Sequence, residues 1–225
     1  MDLKNKTIAF CLPGREYSGD FLTSFVELVA HVMQNGGKPL ISQKYSSMVN
    51  FARCLCAGAD VKRGKYQTPF AGKVPYDYML WIDSDQVFST EQFIKLLEMD
   101  KDIAAGWYCQ PGVHKDGTYY TPVVEKMEDF FFEKNGYYKF LSAKEIEEKK
   151  TPFKADYIGF GWVLIKKGVF ERMEYPWFAP KQRFVGELSD MCSEDVSFCI
   201  DARNLGIDIW VDPTCRVGHE KTLVI

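Results

Sequence analysis

Apolar positions along the chain alternate between two spacings. Thr7-Ile-Ala-Phe-Cys-Leu12 is an unbroken apolar run, the form of a buried strand. Phe21, Phe25, Leu28, Val29 and Val32 then recur at intervals of three and four, which predicts a helix from about Gly19 to the stop at Asn35-Gly36-Gly37. Pro39-Leu-Ile-Ser42 reads as a second strand. Ser47 is the expected cap of a second helix with Met48, Phe51, Ala52, Leu55 and Ala59 on its apolar side. A loop over 62–72 leads to a third strand, Tyr78 to Ile82, and Ser89-Thr-Glu-Gln92 has the form of a capping box for a helix over Glu91–Met99. Asp102 to Tyr108 closes this half as another strand. Strands and helices in this order predict a parallel sheet with helices on both faces.

The region 110–154 is less regular. The spacing predicts a hairpin over Phe130–Phe140 turning at Asn135-Gly136, then a short charged helix opened by Ser142-Ala-Lys-Glu145 and ended before Pro152. Ala155 to Ile165 is a strand pattern broken by Gly159 and Gly161, as where backbone must approach a ligand or take a bulge. Ser193 and Gly206 bracket a helix, and Ile207 to Val211 forms a closing strand. The fold class expected is α/β and Rossmann-like: a mostly parallel central sheet flanked by helices, with a small β insertion.

At 225 residues the chain suits one domain, 1–225. A net charge of −3 leaves no basic footprint for duplex nucleic acid. Seven cysteines without a Cys-x-x-Cys pair read as reduced, mostly buried thiols, and with no signal peptide before the first strand the expected location is cytoplasmic. No apolar stretch reaches the ~18 residues that span a membrane, so any membrane role is expected to be peripheral.

Chemistry concentrates at Asp83 and Asp85, two carboxylates two residues apart just past an apolar strand. In an extended segment, side chains at that spacing point the same way and can share one cation. The plain alternative is a strand that ends in an Asp-rich turn. An EF-hand is excluded, because its Gly and bidentate Glu positions fall on Phe88 and Ile94. Gly14 to Gly19 is not a P-loop, since Asp20-Phe21 stands where Lys and Ser or Thr are needed, and the first turn lacks a Gly-x-Gly-x-x-Gly.

Four features in order, the Asp83-Ser-Asp85 pair, the Gly159-Phe-Gly161-Trp162 segment, Glu194-Asp195 and His219, resemble the Asp-x-Asp glycosyltransferases of the A-type (GT-A) fold. The resemblance runs from about Thr7 to His219 and implies a metal-dependent transfer of a sugar from a nucleotide-diphosphate donor, UDP first among them, to an acceptor hydroxyl. It implies that Asp83, Asp85 and His219 serve Mn²⁺ or Mg²⁺. Asp83, Arg53, Pro13 and Arg15 would contact the nucleotide or diphosphate, within a nucleotide-sugar half over 7–109. An acceptor half over 110–225 would use Asp195 as base in an inverting reaction, with Glu194 beside it. Trp107, Tyr108, Gly159, Phe160, Gly161 and Trp162 become the candidates for sugar contact. The acceptor would be a glycan, glycolipid or protein. The first loop, Leu12-Pro-Gly-Arg15, departs from the family's acidic opening and weakens the nucleotide contacts assigned there. Two other readings stand beside this one: a sugar-phosphate nucleotidyltransferase, for which the Gly-rich basic loop is missing, and a non-catalytic sugar-nucleotide or glycan-binding domain, against which all four carboxylates are present.

Overall fold

A computed structural model of the protein describes residues 3–112 and 117–221. The first half runs β1 (Thr7–Pro13), α1 (Gly19–Gln34), β2 (Lys38–Lys44), α2 (Val49–Cys56), β3 (Tyr78–Ile82), β4 (Gln86–Val87), α3 (Thr90–Glu98) and β5 (Ile103–Trp107). The second continues with β6 (Val123–Val124), α4 (Asp129–Asn135), α5 (Ala143–Glu147), β7 (Phe153–Ala155), β8 (Tyr157–Ile158), β9 (Trp162–Lys166) and α6 (Val169–Arg172). It ends with β10 (Lys181–Val185), β11 (Leu188–Cys192), α7 (Glu194–Asn204), β12 (Ile209–Arg216) and β13 (Gly218–His219).

A seven-stranded sheet in the order β2-β1-β3-β9-β5-β12-β7 forms the centre. Strands β2, β1, β3, β5 and β12 run one way, and only β9 and the edge strand β7 oppose them. The mostly parallel α/β architecture is therefore the one the periodicity predicts. Side chains alternate along β3 between two cores: Tyr78, Leu80 and Ile82 join Phe21, Leu28, Phe93 and Leu96 of α1 and α3, while Met79 and Trp81 face Phe160, Phe170, Phe178 and Phe198. Burial on both faces is why the run reads as continuously apolar.

The capping devices expected at Ser89 and Ser142 are present, with Gln92 and Glu145 bonding back to the cap backbone. Three expectations are corrected. The segment 130–140 is not a hairpin: Asp129–Asn135 is helical, and Gly136 at φ 76° is its left-handed stop. An Asn-Gly pair signals positive φ, which a helix end uses as readily as a hairpin turn. The small β element of this region is instead β6, paired with β8 outside the main sheet. The second helix begins one residue later than expected, at Val49, and its predicted apolar stripe faces outward: Met48 is 54%, Phe51 52% and Leu55 41% exposed. Ala52, Arg53, Cys54 and Cys56 take the inner side. Finally, the closing strand starts at Ile209 rather than Ile207 and continues through Asp212 and Pro213 to Arg216, with a register break after Val211.

Candidate active site

The site forms where β3 ends. Asp83 to Gln86 make a turn, with the Gln86 amide donating to the Asp83 carbonyl at 3.2 Å. Because the pair sits in a turn rather than an extended segment, the two carboxylates take different partners. Asp83 meets Arg53 in an ion pair: Nη2 donates to Oδ2 at 3.1 Å, and Nη1 lies 3.0 Å from Oδ1 without hydrogen-bond geometry. The same guanidinium reaches Glu194 through Nε at 3.3 Å and lies over the Phe160 ring, 5.3 Å from its centroid. Arg53 is 3% exposed. Burial works against its charge, but Asp83 and Glu194 outweigh that and hold the guanidinium more basic than usual. One side chain thus ties α2, the end of β3 and the start of α7 together.

Asp85 turns toward the C-terminal strand. Strand β13 pairs antiparallel with β4, placing His219 opposite Gln86, and the Glu220 amide donates to the Asp85 carbonyl at 2.8 Å. His219 Nε2 then lies 3.1 Å from Asp85 Oδ2, and Nδ1 lies 2.8 Å from the Cys109 carbonyl oxygen. A carbonyl and a carboxylate both only accept, so Nδ1 donates to Cys109, and Nε2 either donates to Asp85 or turns its lone pair to a cation held between the two. Lys221 Nζ also donates to Asp85 Oδ2. Burial pushes the Asp85 carboxyl up, but His219 and Lys221 overcome it and hold the group well below the ordinary carboxylate range.

Whether these residues suit a divalent cation turns on their donors. A histidine fixed through Nδ1 on a backbone carbonyl, with Nε2 beside a carboxylate oxygen, is the arrangement that metal-ligating histidines use. Among the described residues no group of three His, Cys, Asp or Glu side chains could hold a metal. Asp85 and His219 supply two donors, and Lys221 Nζ lies on the same Asp85 oxygen, so a cation here would have to displace that ammonium and take its other ligands from phosphate oxygens and water.

Asp195 stands in the first turn of α7. Its Oδ2 accepts from Tyr157 Oη at 3.0 Å, and its Oδ1 from the Ser193 hydroxyl and from the Val196 amide at 2.8 Å. Burial and the Asp195 charge raise the Tyr157 phenol well above its usual range, so it stays protonated as a donor. Tyr108 bridges the two sides of the site: its ring packs against His219 at 4.8 Å and covers Gly159 and Gly161. A Cβ on Gly159 would come within 2.4 Å of Tyr108 Oη, and one on Gly161 within 2.7 Å of Tyr108 Cε1. The glycines are thus required by a neighbouring ring, which the strand-with-glycines pattern alone did not distinguish from a ligand.

Among the remaining candidates, Trp107, Phe160 and Trp162 are fully buried: Trp107 Nε1 donates to the Pro213 carbonyl, Trp162 packs on Phe88, and Phe160 joins the cluster under β3. Pro13 ends β1 and Gly14 packs against Ser84, so the first loop lies on the Asp-x-Asp turn, with Arg15 exposed at its rim. Sequence reasoning missed Tyr157 and Lys221. Tyr157 sits within the Gly-rich segment already singled out, and Lys221 two residues beyond His219 had the i, i+2 relation that was used for the aspartates.

No family model matches the chain, and no curated protein does. Among solved structures, A197 from STIV aligns with a TM-score of 0.53 at 13% identity, covering 98% of this chain and 96% of that one. A structure of GalNAc-T7 with UDP, GalNAc and Mn²⁺ gives 0.49 at 12% identity, over 99% of this chain and 45% of that one. The inositol-1-phosphate CTP transferase from T. maritima gives 0.43 at 11% identity, covering 96% and 89%. At such identities a likeness speaks to fold alone, and it is the A197 alignment that supports the α/β architecture described above.

Proposed function

We propose that the chain is a metal-dependent glycosyltransferase that moves a sugar from a nucleotide-diphosphate donor, UDP-linked in the first instance, to an acceptor hydroxyl. The observation that carries this reading is the Asp85–His219 pair, brought to 3.1 Å from 134 positions apart by the β4–β13 pairing, with the imidazole oriented through its other nitrogen. Asp85 and His219 would hold Mn²⁺ or Mg²⁺, and the cation would neutralise the diphosphate leaving group. Residues 7–109 would form the donor half and 110–225 the acceptor half of one domain.

In this reading Asp83 and Glu194 act through Arg53, fixing the Asp-x-Asp turn relative to the start of α7. Asp195, held by Tyr157 and Ser193, would accept the proton of the attacking hydroxyl as the new bond forms. Pro13 and Arg15 border the same turn and would face the nucleotide, while Tyr108 supports His219 and the glycine segment. Trp107, Phe160 and Trp162 would support the site from the core rather than stack on sugar.

Calorimetric titration of UDP and of GDP, with and without Mn²⁺, tests the proposal on the wild type and on Asp85→Asn. Metal-dependent binding of one nucleotide, lost in the variant, is the expected result. Failure of both nucleotides to bind under every metal condition would reduce the Asp83–Asp85 turn to a strand ending.

A further inference from the structure

The second helix is turned inside out. Met48, Phe51 and Leu55 follow the i, i+3, i+7 spacing of a buried stripe, yet each is more than two-fifths exposed, while the helix's one charged side chain, Arg53, is buried. The turn after the helix adds Val61 at 76% and Tyr66 at 75% exposure. Such a surface needs a partner, and the charge around it selects one. Seven of the 28 Lys and Arg residues lie from Lys38 to Lys73, against Asp60 alone of the 31 acidic residues. Arg53 is buried on Asp83 and Glu194 and Lys65 pairs with Glu174 at 3.2 Å, which leaves Lys38, Lys44, Lys62, Arg63 and Lys73 to set the charge of this face. Lys44 precedes the helix, Lys62, Lys65 and Lys73 follow it, and all four are exposed. A chain of net charge −3 therefore concentrates positive charge where it exposes apolar side chains. Two other exposed apolar groups differ: Leu22 and Val26 on α1 share their helix with Asp20 and Glu27, and on the β10–β11 hairpin Phe184 and Met191 stand near Glu187 and Asp190, while Lys181 and Arg183 there are paired with Asp201 and Asp129.

We propose that the outer face of α2 and the turn that follows it dock the protein on an anionic lipid bilayer. Phe51, Leu55 and Met48 enter the headgroup boundary, as the apolar face of an interfacial helix does, and the lysines meet the lipid phosphates and carboxylates. A short helix with a few lysines gives reversible, salt-sensitive attachment rather than insertion. The opposite side of α2 carries Arg53 into the Asp83–Glu194 cluster, so docking holds the candidate site one helix diameter, ~10 Å, from the headgroups and favours an acceptor hydroxyl on a lipid headgroup. That last step rests on the glycosyltransferase reading; attachment to lipid does not.

Co-sedimentation of the full chain with vesicles tests the attachment without any nucleotide or metal. The protein should pellet with equal parts phosphatidylcholine and phosphatidylserine, stay in solution with phosphatidylcholine alone, and be released by salt. Phe51→Gln with Leu55→Gln, and separately Lys62→Glu with Lys73→Glu, should each weaken binding about tenfold or more. Both pairs are exposed and should leave the thermal melt unchanged, and Phe130→Gln, at an exposed aromatic on α4, should bind as wild type. The proposal is overturned if wild type ignores anionic vesicles, or if either double variant binds them undiminished. It is also overturned if sedimentation velocity finds a dimer that the Phe51/Leu55 variant dissociates, since the face would then belong to a second copy.

Discussion

Buried Arg53 and part-buried Asp83, thirty positions apart, meet in an ion pair that fixes the second helix to the end of the third strand. Glu194 shares the same guanidinium, so removing it leaves two carboxylates facing each other in a site with little water. Breaking a buried pair from one side costs about 3–5 kcal/mol. Arg53→Ala should lose stability on that scale in urea unfolding, with the denaturant slope unchanged. Arg53→Lys, which keeps the charge but not the fork, should fall in between. A loss below about 1 kcal/mol for Arg53→Ala would show that the cluster is solvated rather than closed.

Tyr108 sets the side-chain size allowed at Gly159 and Gly161. Gly159→Ala places a methyl 2.4 Å from the phenol oxygen and 2.8 Å from Pro122 Cβ, and overpacking of this kind costs about 1–3 kcal/mol. Tyr108→Phe removes the oxygen, so the Gly159→Ala/Tyr108→Phe pair should recover part of the loss in a double-mutant cycle. Gly161→Ala meets the ring carbon Cε1 and Gln86 instead, and Tyr108→Phe should not rescue it.

Much of the fold is legible in the sequence because strands such as β3 are buried on both faces and therefore apolar throughout, and because α1 carries its stripe up to the clear stop at Asn35-Gly36-Gly37. The outward turn of α2 is not legible: periodicity shows that Met48, Phe51 and Leu55 share a face, not which surface covers it. The Asn135-Gly136 pair announces positive φ without saying whether a hairpin or a helix end uses it. At the site, residue types and order single out Asp85 and His219, but the register that joins β4 to β13 is a long-range pairing no local pattern encodes. Nor does the i, i+2 spacing reveal that Asp83 and Asp85 lie in a turn and part toward Arg53 and His219.

Thiol chemistry offers a separate check on burial. Burial raises the Cys11, Cys54, Cys192, Cys199 and Cys215 thiols, and pushes Cys56 up to about 11. The thiolate is the reacting species, so these six should resist alkylation at neutral pH, and Cys56 should gain reactivity only as the pH approaches its raised value. Cys109, the one cysteine with intermediate exposure, should be labelled first. Iodoacetamide labelling followed by peptide mass mapping, native against unfolded, reads this directly. Rapid native labelling of Cys56 or Cys199 would mean that the core under α2 or α7 opens readily.

Asp195 and its two hydroxyl donors carry the last prediction, which separates binding from chemistry. In the proposed reaction Asp195 takes a proton only as the acceptor oxygen attacks, so its loss should act on turnover and not on donor affinity. Once a donor is known, Asp195→Asn should lower kcat by about 10²–10⁴-fold while metal-dependent nucleotide binding stays within a factor of about two. Tyr157→Phe keeps the ring and removes the hydrogen bond to Oδ2, leaving Ser193 and the Val196 amide to hold the carboxylate through Oδ1. The expected fall in kcat is therefore smaller, about tenfold, again without a change in nucleotide affinity. Parallel loss of nucleotide binding in Asp195→Asn would place this carboxylate on the donor side and remove it as the base. An unchanged kcat in both variants would leave the acceptor proton to another group and confine Asp195 to capping α7, where an acidic residue in the first turn is favourable on its own account.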